Sequence, residues 1–216
     1  HLPIIAGGTG LYIKALLEDY AFNAAEEDSE LRAQLEREAQ EQGAEALHER
    51  LRAAAPAEAE RIHPNKVRRV IRALESALQG EQVNQYGAAE MPYDALVIGL
   101  NMERQALYAR INKRVDLMLE AGLEQEVHGL LEQGVHPDCQ SMQSIGYRQM
   151  VWYIDAGMPY DDAVEKLKQA TRNFAKRQLT WYKKMPYIYW LTLAAEPDYG
   201  EAVAQIEALL QEKFQL

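Results

Sequence analysis

Apolar positions along this chain fall into two spacings, short continuous runs and stretches with a period near 3.6, and the two predict different elements. The runs are Leu2-Pro3-Ile4-Ile5-Ala6, Ala95-Leu96-Val97-Ile98-Gly99-Leu100 and Tyr187 to Leu193, each of strand length. Without polar alternation they fit strands buried on both faces, as in a parallel sheet covered by helices. The first leads directly into Gly7-Gly8-Thr9-Gly10, and helical spacing follows over 9–19 with Leu11, Ala15 and Leu16 on one side. Residues 24–60, rich in Ala, Glu and Gln, predict two or three solvated helices, with Asp28 as a cap and Gly43 as a break. Ile62-His63-Pro64-Asn65 predicts a turn, with Asn65 capping the next helix. There Val67, Val70, Ile71, Leu74 and Leu78 form the apolar stripe, and Arg68, Arg69 and Arg72 point away. Residues 80–92 read as a loop.

Helices are expected over 103–121 and 123–133, parted by Gly122, then a loop over 134–146 and a helix over 147–156 stopped by Gly157. Pro159 suits the first turn of a long helix that reaches Lys184 and ends at Pro186. Val164, Leu167, Phe174, Trp181, Tyr182 and Met185 are its expected core face. A terminal helix opens at Pro197. Three widely separated strands among many helices predict an α/β core with a helical insertion. The chain opens at His1 with a buried-type strand already under way, so a preceding segment that supplies its sheet neighbours is expected.

Composition narrows the class. With 48% hydrophobic and 26% charged residues in 216, wholesale disorder is excluded. No apolar run approaches the ~20 residues of a spanning helix, and no secretory leader is visible, so no membrane partner is expected. The single cysteine, Cys139, and five scattered histidines show no metal-ligand spacing. A reducing, cytoplasmic setting and a monomer are expected. Net charge is −10, which at first opposes a nucleic-acid partner. The distribution reverses that reading, because residues 18–60 hold 13 acids and 4 bases and carry nearly all the imbalance. Residues 61–74 hold Arg61, Lys66, Arg68, Arg69 and Arg72 with no acid. Residues 166–195 hold seven bases with no acid. An RNA responds to local potential rather than to the total.

On the long helix, Lys168, Arg172, Lys176 and Lys183 share one stripe, and Lys166, Arg177 and Lys184 form a second ridge. Phosphate contact and a merely solvated face both fit such a pattern, and the same holds for Arg68, Arg69 and Arg72. Gly7-Gly8-Thr9-Gly10 puts backbone donors and a hydroxyl at a helix start, where an anion or reacting polar group fits, although a plain tight turn fits too. It is neither GxxxxGK[ST] nor GxGxxG. Arg110 and Arg114, four apart on one helix face beside Lys113, can clamp a diphosphate or pair with Glu103, Asp116 or Glu120. Gly146-Tyr147-Arg148-Gln149 offers a ring, a cation and an amide for base contacts, or an ordinary helix start. Cys139 reads as a packed or loop thiol.

Taken together, five stretches resemble the tRNA dimethylallyltransferase (tRNA isopentenyltransferase) family. They are Pro3 to Leu17, Arg61-Ile62-His63-Pro64-Asn65 through Glu75, Arg110-Ile111 to Arg114-Val115, Ser144 to Met150, and Ala175-Lys176-Arg177-Gln178 to Trp181. The resemblance implies an α/β fold, part of a P-loop NTPase-like parallel-sheet core, predominantly helical, with an all-α insertion. The core would comprise residues 1–22 and 92–216 and the insertion residues 23–91. It implies transfer of a dimethylallyl group from dimethylallyl diphosphate, with Mg²⁺ on the diphosphate, to the exocyclic amine of the adenosine 3′ of a tRNA anticodon. Thr9 would lie beside that adenosine, and Arg110 and Arg114 on the diphosphate, with Arg114 taking part in catalysis. The anticodon stem-loop would meet Arg32, Arg68, Arg69, Arg72, Gln143, Gly146, Tyr147, Arg148, Lys176, Arg177, Gln178, Trp181 and Lys183. The family's phosphate loop, its general-base aspartate and most of its Mg²⁺ site lie upstream of the Gly-Gly-Thr turn, so the 216-residue chain by itself is expected to be inactive. Two other readings remain at this stage: an adenylate isopentenyltransferase, which needs no long basic surface, and a non-catalytic tRNA-binding module.

Overall fold

The computed structural model describes residues 2–18, 28–80 and 91–215. Contacts divide the chain into two units, residues 11–93 and residues 1–10 with 94–216. Asp19, residues 24–27 and residues 81–90, all covered by the expectations above, lie outside the described residues.

In the first unit α1 (Gly10–Leu17) is followed by α2 (Ser29–Gln42), α3 (Ala44–Ala54), α4 (Pro56–Arg61) and α5 (Val67–Leu78). Asp28 starts α2 as expected, its carboxylate accepting the Leu31 N–H at 2.9 Å. Gly43, at φ +90°, separates α2 from α3 in a conformation that a side chain would strain. Leu35, Leu47, Leu51, Ala59, Val70, Ile71, Ala73 and Leu74 close the core of this unit. Two expectations fail here. Asn65 does not cap α5, because the helix begins at Val67 with Lys66 at the N-cap position and no side-chain cap bond, while the Asn65 N–H donates to His63 Nδ1 at 3.2 Å. Leu78 leaves the stripe and is exposed at the last turn. His48, buried in α3, sets its Nε2 3.0 Å from the Ala59 carbonyl and 2.7 Å from that of Ile62. One shared N–H thereby satisfies the end of α4.

Buried Glu75 joins the two ends of this unit. It accepts the Asp28 N–H at 3.0 Å and the Arg32 Nε–H at 2.8 Å, tying the start of α2 to α5. A carboxylate this far out of water persists because both oxygens are engaged.

In the second unit β1 (Val97–Met102) leads into α6 (Arg104–Glu120), α7 (Leu123–Glu132), α8 (Tyr147–Ile154) and α9 (Tyr160–Tyr182). β2 (Ile188–Leu193) and α10 (Tyr199–Phe214) complete it. The strands pair in parallel from Val97 opposite Ile188 to Met102 opposite Leu193, so the four intervening helices form the crossover. At Gly99 a Cβ would come within 2.8 Å of the Trp190 ring, which lies across the strand. Val115, Leu123, Val127, Met142, Met150, Val151, Ala163 and Leu167 form the core beneath the helices. α10 is capped by the Asp198 carboxylate, which accepts from Gly200 and Glu201, rather than opening at Pro197.

The described chain is thus mostly helical with a small parallel sheet, the predicted class. The predicted strand over Leu2–Ala6 is not formed. Among the described residues β1 and β2 pair with each other, nothing pairs with 2–6, and Ile4 is 90% exposed. An apolar run becomes a strand only when a ladder partner takes its N–H and C=O groups. The core face expected of α9 also needs correction, since Phe174 and Trp181 are exposed and Ala163 and Leu167 carry the burial.

Candidate functional site

The turn at Gly7–Gly10 lies against the C-terminal half of α9. Gln178 Nε2 donates to the Gly8 carbonyl at 2.8 Å, and the Trp181 indole lies where a Cβ on Gly10 would be. Thr9, exposed, sits between these contacts. On α9 itself Asn173, Lys176, Arg177, Thr180, Trp181 and Lys184 line a groove. Phe174 forms part of the same surface, with the Arg177 guanidinium 5.7 Å from its ring centre.

The two halves of the basic stripe have separate roles. Lys168 pairs with Asp116 of α6 at 2.6 Å, and Arg172 bonds Asn112 and Glu165 at 2.8 and 2.7 Å. The expected stripe is therefore broken, with its first half joining α9 to α6. Glu165 lies just before the acid-free stretch and pairs with one of its seven bases, Arg172. Lys176, Arg177, Lys183 and Lys184 are exposed and make no ion pair among the described residues. Half-buried Gln178 turns toward the glycine turn, and exposed Trp181 faces both that turn and the groove. Asn173 and Thr180 are groove residues that charge counting passed over, because a neutral amide and a hydroxyl leave no mark in a charge pattern.

α6 presents the expected arginine pair. Arg110 and Arg114 are exposed, and the Arg110 guanidinium donates to the Tyr199 hydroxyl at 3.2 Å. Two acids that could have neutralised them are engaged elsewhere. Glu103 caps α6 by accepting from Gln105 and Ala106, and Asp116 holds Lys168. Arg114 and Lys113 have no ion-pair partner among the described residues.

At the start of α8 the structure separates the motif's residues. Gly146, at φ +106°, is buried, and its N–H donates to the buried Gln149 side chain at 2.9 Å. Gln149 is thus a cap, not the base-contacting amide that the motif suggested. The Tyr147 hydroxyl donates to Glu126, which pushes its pKa above the ordinary tyrosine value, and its ring packs on the core. Gln143 donates to the Pro137 carbonyl at 3.0 Å. Arg148 is the exposed member of the group. In the helical unit Arg68, Arg69 and Arg72 stand exposed on α5, and Arg32 is turned inward to Glu75. The Cys139 thiol, half-buried beside Ser141 Oγ at 3.2 Å, is shifted below its ordinary pKa chiefly by that hydroxyl.

Among the described residues no group of three or more His, Cys, Asp or Glu side chains could hold a metal ion. No described helix is long and apolar enough to cross a membrane.

A parallel α/β crossover, a hydroxyl between two glycines, an exposed arginine pair and a basic helix face with no ion pair among the described residues make this an α/β protein with two exposed cationic surfaces. Comparison with known proteins gives that class a family. The family described as IPP transferase matches residues 1–185. A tRNA dimethylallyltransferase of Geobacillus kaustophilus (strain HTA426) is 45% identical over 220 residues, covering all of this chain and 70% of the relative. One from Desulfatibacillum aliphaticivorans is 47% identical over 96% of this chain and 68% of its own length. Among solved structures, the full-length tRNA isopentenylpyrophosphate transferase from Bacillus halodurans superposes with a TM-score of 0.62 at 37% identity. That match covers 96% of this chain and 65% of the other. A eukaryotic dimethylallyltransferase shares the fold, with a TM-score of 0.68 at 24% identity and 55% of its chain covered. The chain belongs to the IPP transferase family.

Proposed function

We propose that this protein modifies tRNA, transferring the dimethylallyl group of dimethylallyl diphosphate to the exocyclic amine of the adenosine 3′ of the anticodon. The observation that carries the reading is the basic groove of α9, whose cations make no ion pair among the described residues, on the same helix that holds the Thr9 turn. A free nucleotide has no use for a cationic groove of that length, whereas an anticodon stem-loop presents a row of phosphates to it.

In this reaction the amine nitrogen forms a bond to the allylic carbon, the carbon–oxygen bond to the diphosphate breaks, and the amine loses a proton. Two parts of that process fall to residues described here. Thr9 orients the adenosine, so that the amine meets the carbon without a search over orientations. Arg114, with Arg110 one turn away, takes up the charge that grows on the departing diphosphate, and a guanidinium meets two phosphate oxygens at once. Mg²⁺ is proposed as a companion of the donor's phosphates. Lys176, Arg177 and Lys183 on α9, with Arg68, Arg69 and Arg72 on α5, are the proposed phosphate contacts of the RNA. A cytoplasmic location is part of the same proposal.

Binding of an anticodon stem-loop, titrated across salt concentrations, tests this. Lys176→Ala and Arg177→Ala should each weaken binding and flatten the slope of log K against log salt by roughly 0.7–0.9. AMP in excess should fail to compete. An unchanged slope in both variants would return the α9 face to a solvated surface.

A further inference from the structure

We propose that Gln178, braced by Trp181, is a positioning residue for Thr9, so that one helix both docks the RNA and sets the orienting hydroxyl. The inference rests on the tRNA reading above and adds a residue role to it. Gln178 follows Arg177 directly and reaches back across 170 positions of sequence to donate to the Gly8 carbonyl at 2.8 Å. A Cβ on Gly8 would stand 2.8 Å from that Nε2 atom, and one on Gly10 would overlap the Trp181 indole, while Gly7 has nothing within 4 Å. Of the three glycines in the turn, the two that flank Thr9 are therefore the ones pressed onto α9. A side chain at Gly10 would collide with the Trp181 ring, and one at Gly8 would displace the Gln178 amide from its bond.

Trp181 belongs to both features, since its ring touches Gly10 and lines the groove with Lys176 and Arg177. RNA seated on those cations rests on the ring that fixes the turn. α9 is a continuous helix of 23 residues, so the distance from groove to turn is set by rigid geometry rather than by a loop. The Gln178 amide holds the carbonyl just before Thr9 and leaves the Thr9 side chain exposed for a ligand. Its contribution is to orientation, and orientation is expressed in turnover more than in affinity.

Two variants of the full-length protein separate this role from its alternatives. Gln178→Leu removes the donor and keeps most of the volume, and Gln178→Glu sets an acceptor against the Gly8 carbonyl. Each should lower kcat about tenfold and leave the tRNA Kd within about twofold. Added to Thr9→Ala, neither should lower kcat further, because a positioning residue has nothing left to position. Hydrogen exchange of the peptide spanning residues 7–10 should speed up in both. A changed Kd and salt slope at full kcat would make Gln178 an RNA contact and overturn the proposal. So would losses that add to those of Thr9→Ala, or exchange at 7–10 that stays as in the parent protein. If the parent protein modifies no tRNA, the functional reading falls, and the exchange result alone still decides whether Gln178 holds the turn.

Discussion

Arg114→Lys is expected to raise the KM for dimethylallyl diphosphate and to lower kcat/KM by about 10–100-fold, with tRNA affinity within about twofold of the parent. The effect is large because the two cations differ in shape, not in charge. A guanidinium is a planar fork that meets two phosphate oxygens, and an ammonium is a point that meets one at a time. Charge on the diphosphate grows as the carbon–oxygen bond breaks, so a lost fork costs more in the transition state than in the bound donor. In the structure Arg114 is open to a ligand. It is exposed, Glu103 and Asp116 are occupied with a helix cap and with Lys168, and no carboxylate pairs with it among the described residues. Steady-state kinetics with donor and tRNA varied separately provide the check. Were Arg114 a surface residue, the variant would lose under ~1 kcal/mol of stability and keep normal donor kinetics.

Glu75→Ala should destabilise the helical unit by about 2–4 kcal/mol. Its carboxylate is the shared partner of the Asp28 N–H and of Arg32, so truncation removes the acceptor that ties the start of α2 to α5. Glu75→Gln keeps an acceptor for the amide and should lose about half as much, because only the charge opposite Arg32 is gone. Urea unfolding followed by circular dichroism, with hydrogen exchange on α2 and α5, measures both. Equal stability in the alanine variant would show that the Glu75 link contributes no net stability.

The helices were legible because their signals are local. Asp28 as a cap, Gly43 as a break and the Val70, Ile71, Leu74 stripe need only near neighbours, and each is found where the pattern puts it. What was not legible depends on partners distant in sequence. Leu2–Ala6 has the composition of a strand, but pairing is a property of two segments, and none of the described residues pairs with it. The stripe on α9 reads as one cationic face from its spacing. Asp116, on another helix, and Glu165 claim its first half. Gln149 looks like a base-contacting amide until the Gly146 N–H is seen to hold it. In the site, charge marked Lys176, Arg177 and Arg114. The grip of Gln178 on Gly8 spans 170 positions and leaves no periodic trace.

The most direct test of the account is transfer itself. The full-length protein is incubated with labelled dimethylallyl diphosphate and one of three acceptors. These are a tRNA with adenosine 3′ of the anticodon, the same tRNA with guanosine there, and AMP. Nuclease digestion then locates the label. The account predicts label in that single adenosine of the first tRNA, none in the guanosine tRNA and none in AMP. Label in AMP in preference to tRNA, or tRNA left unlabelled while it binds the α9 groove, would contradict it.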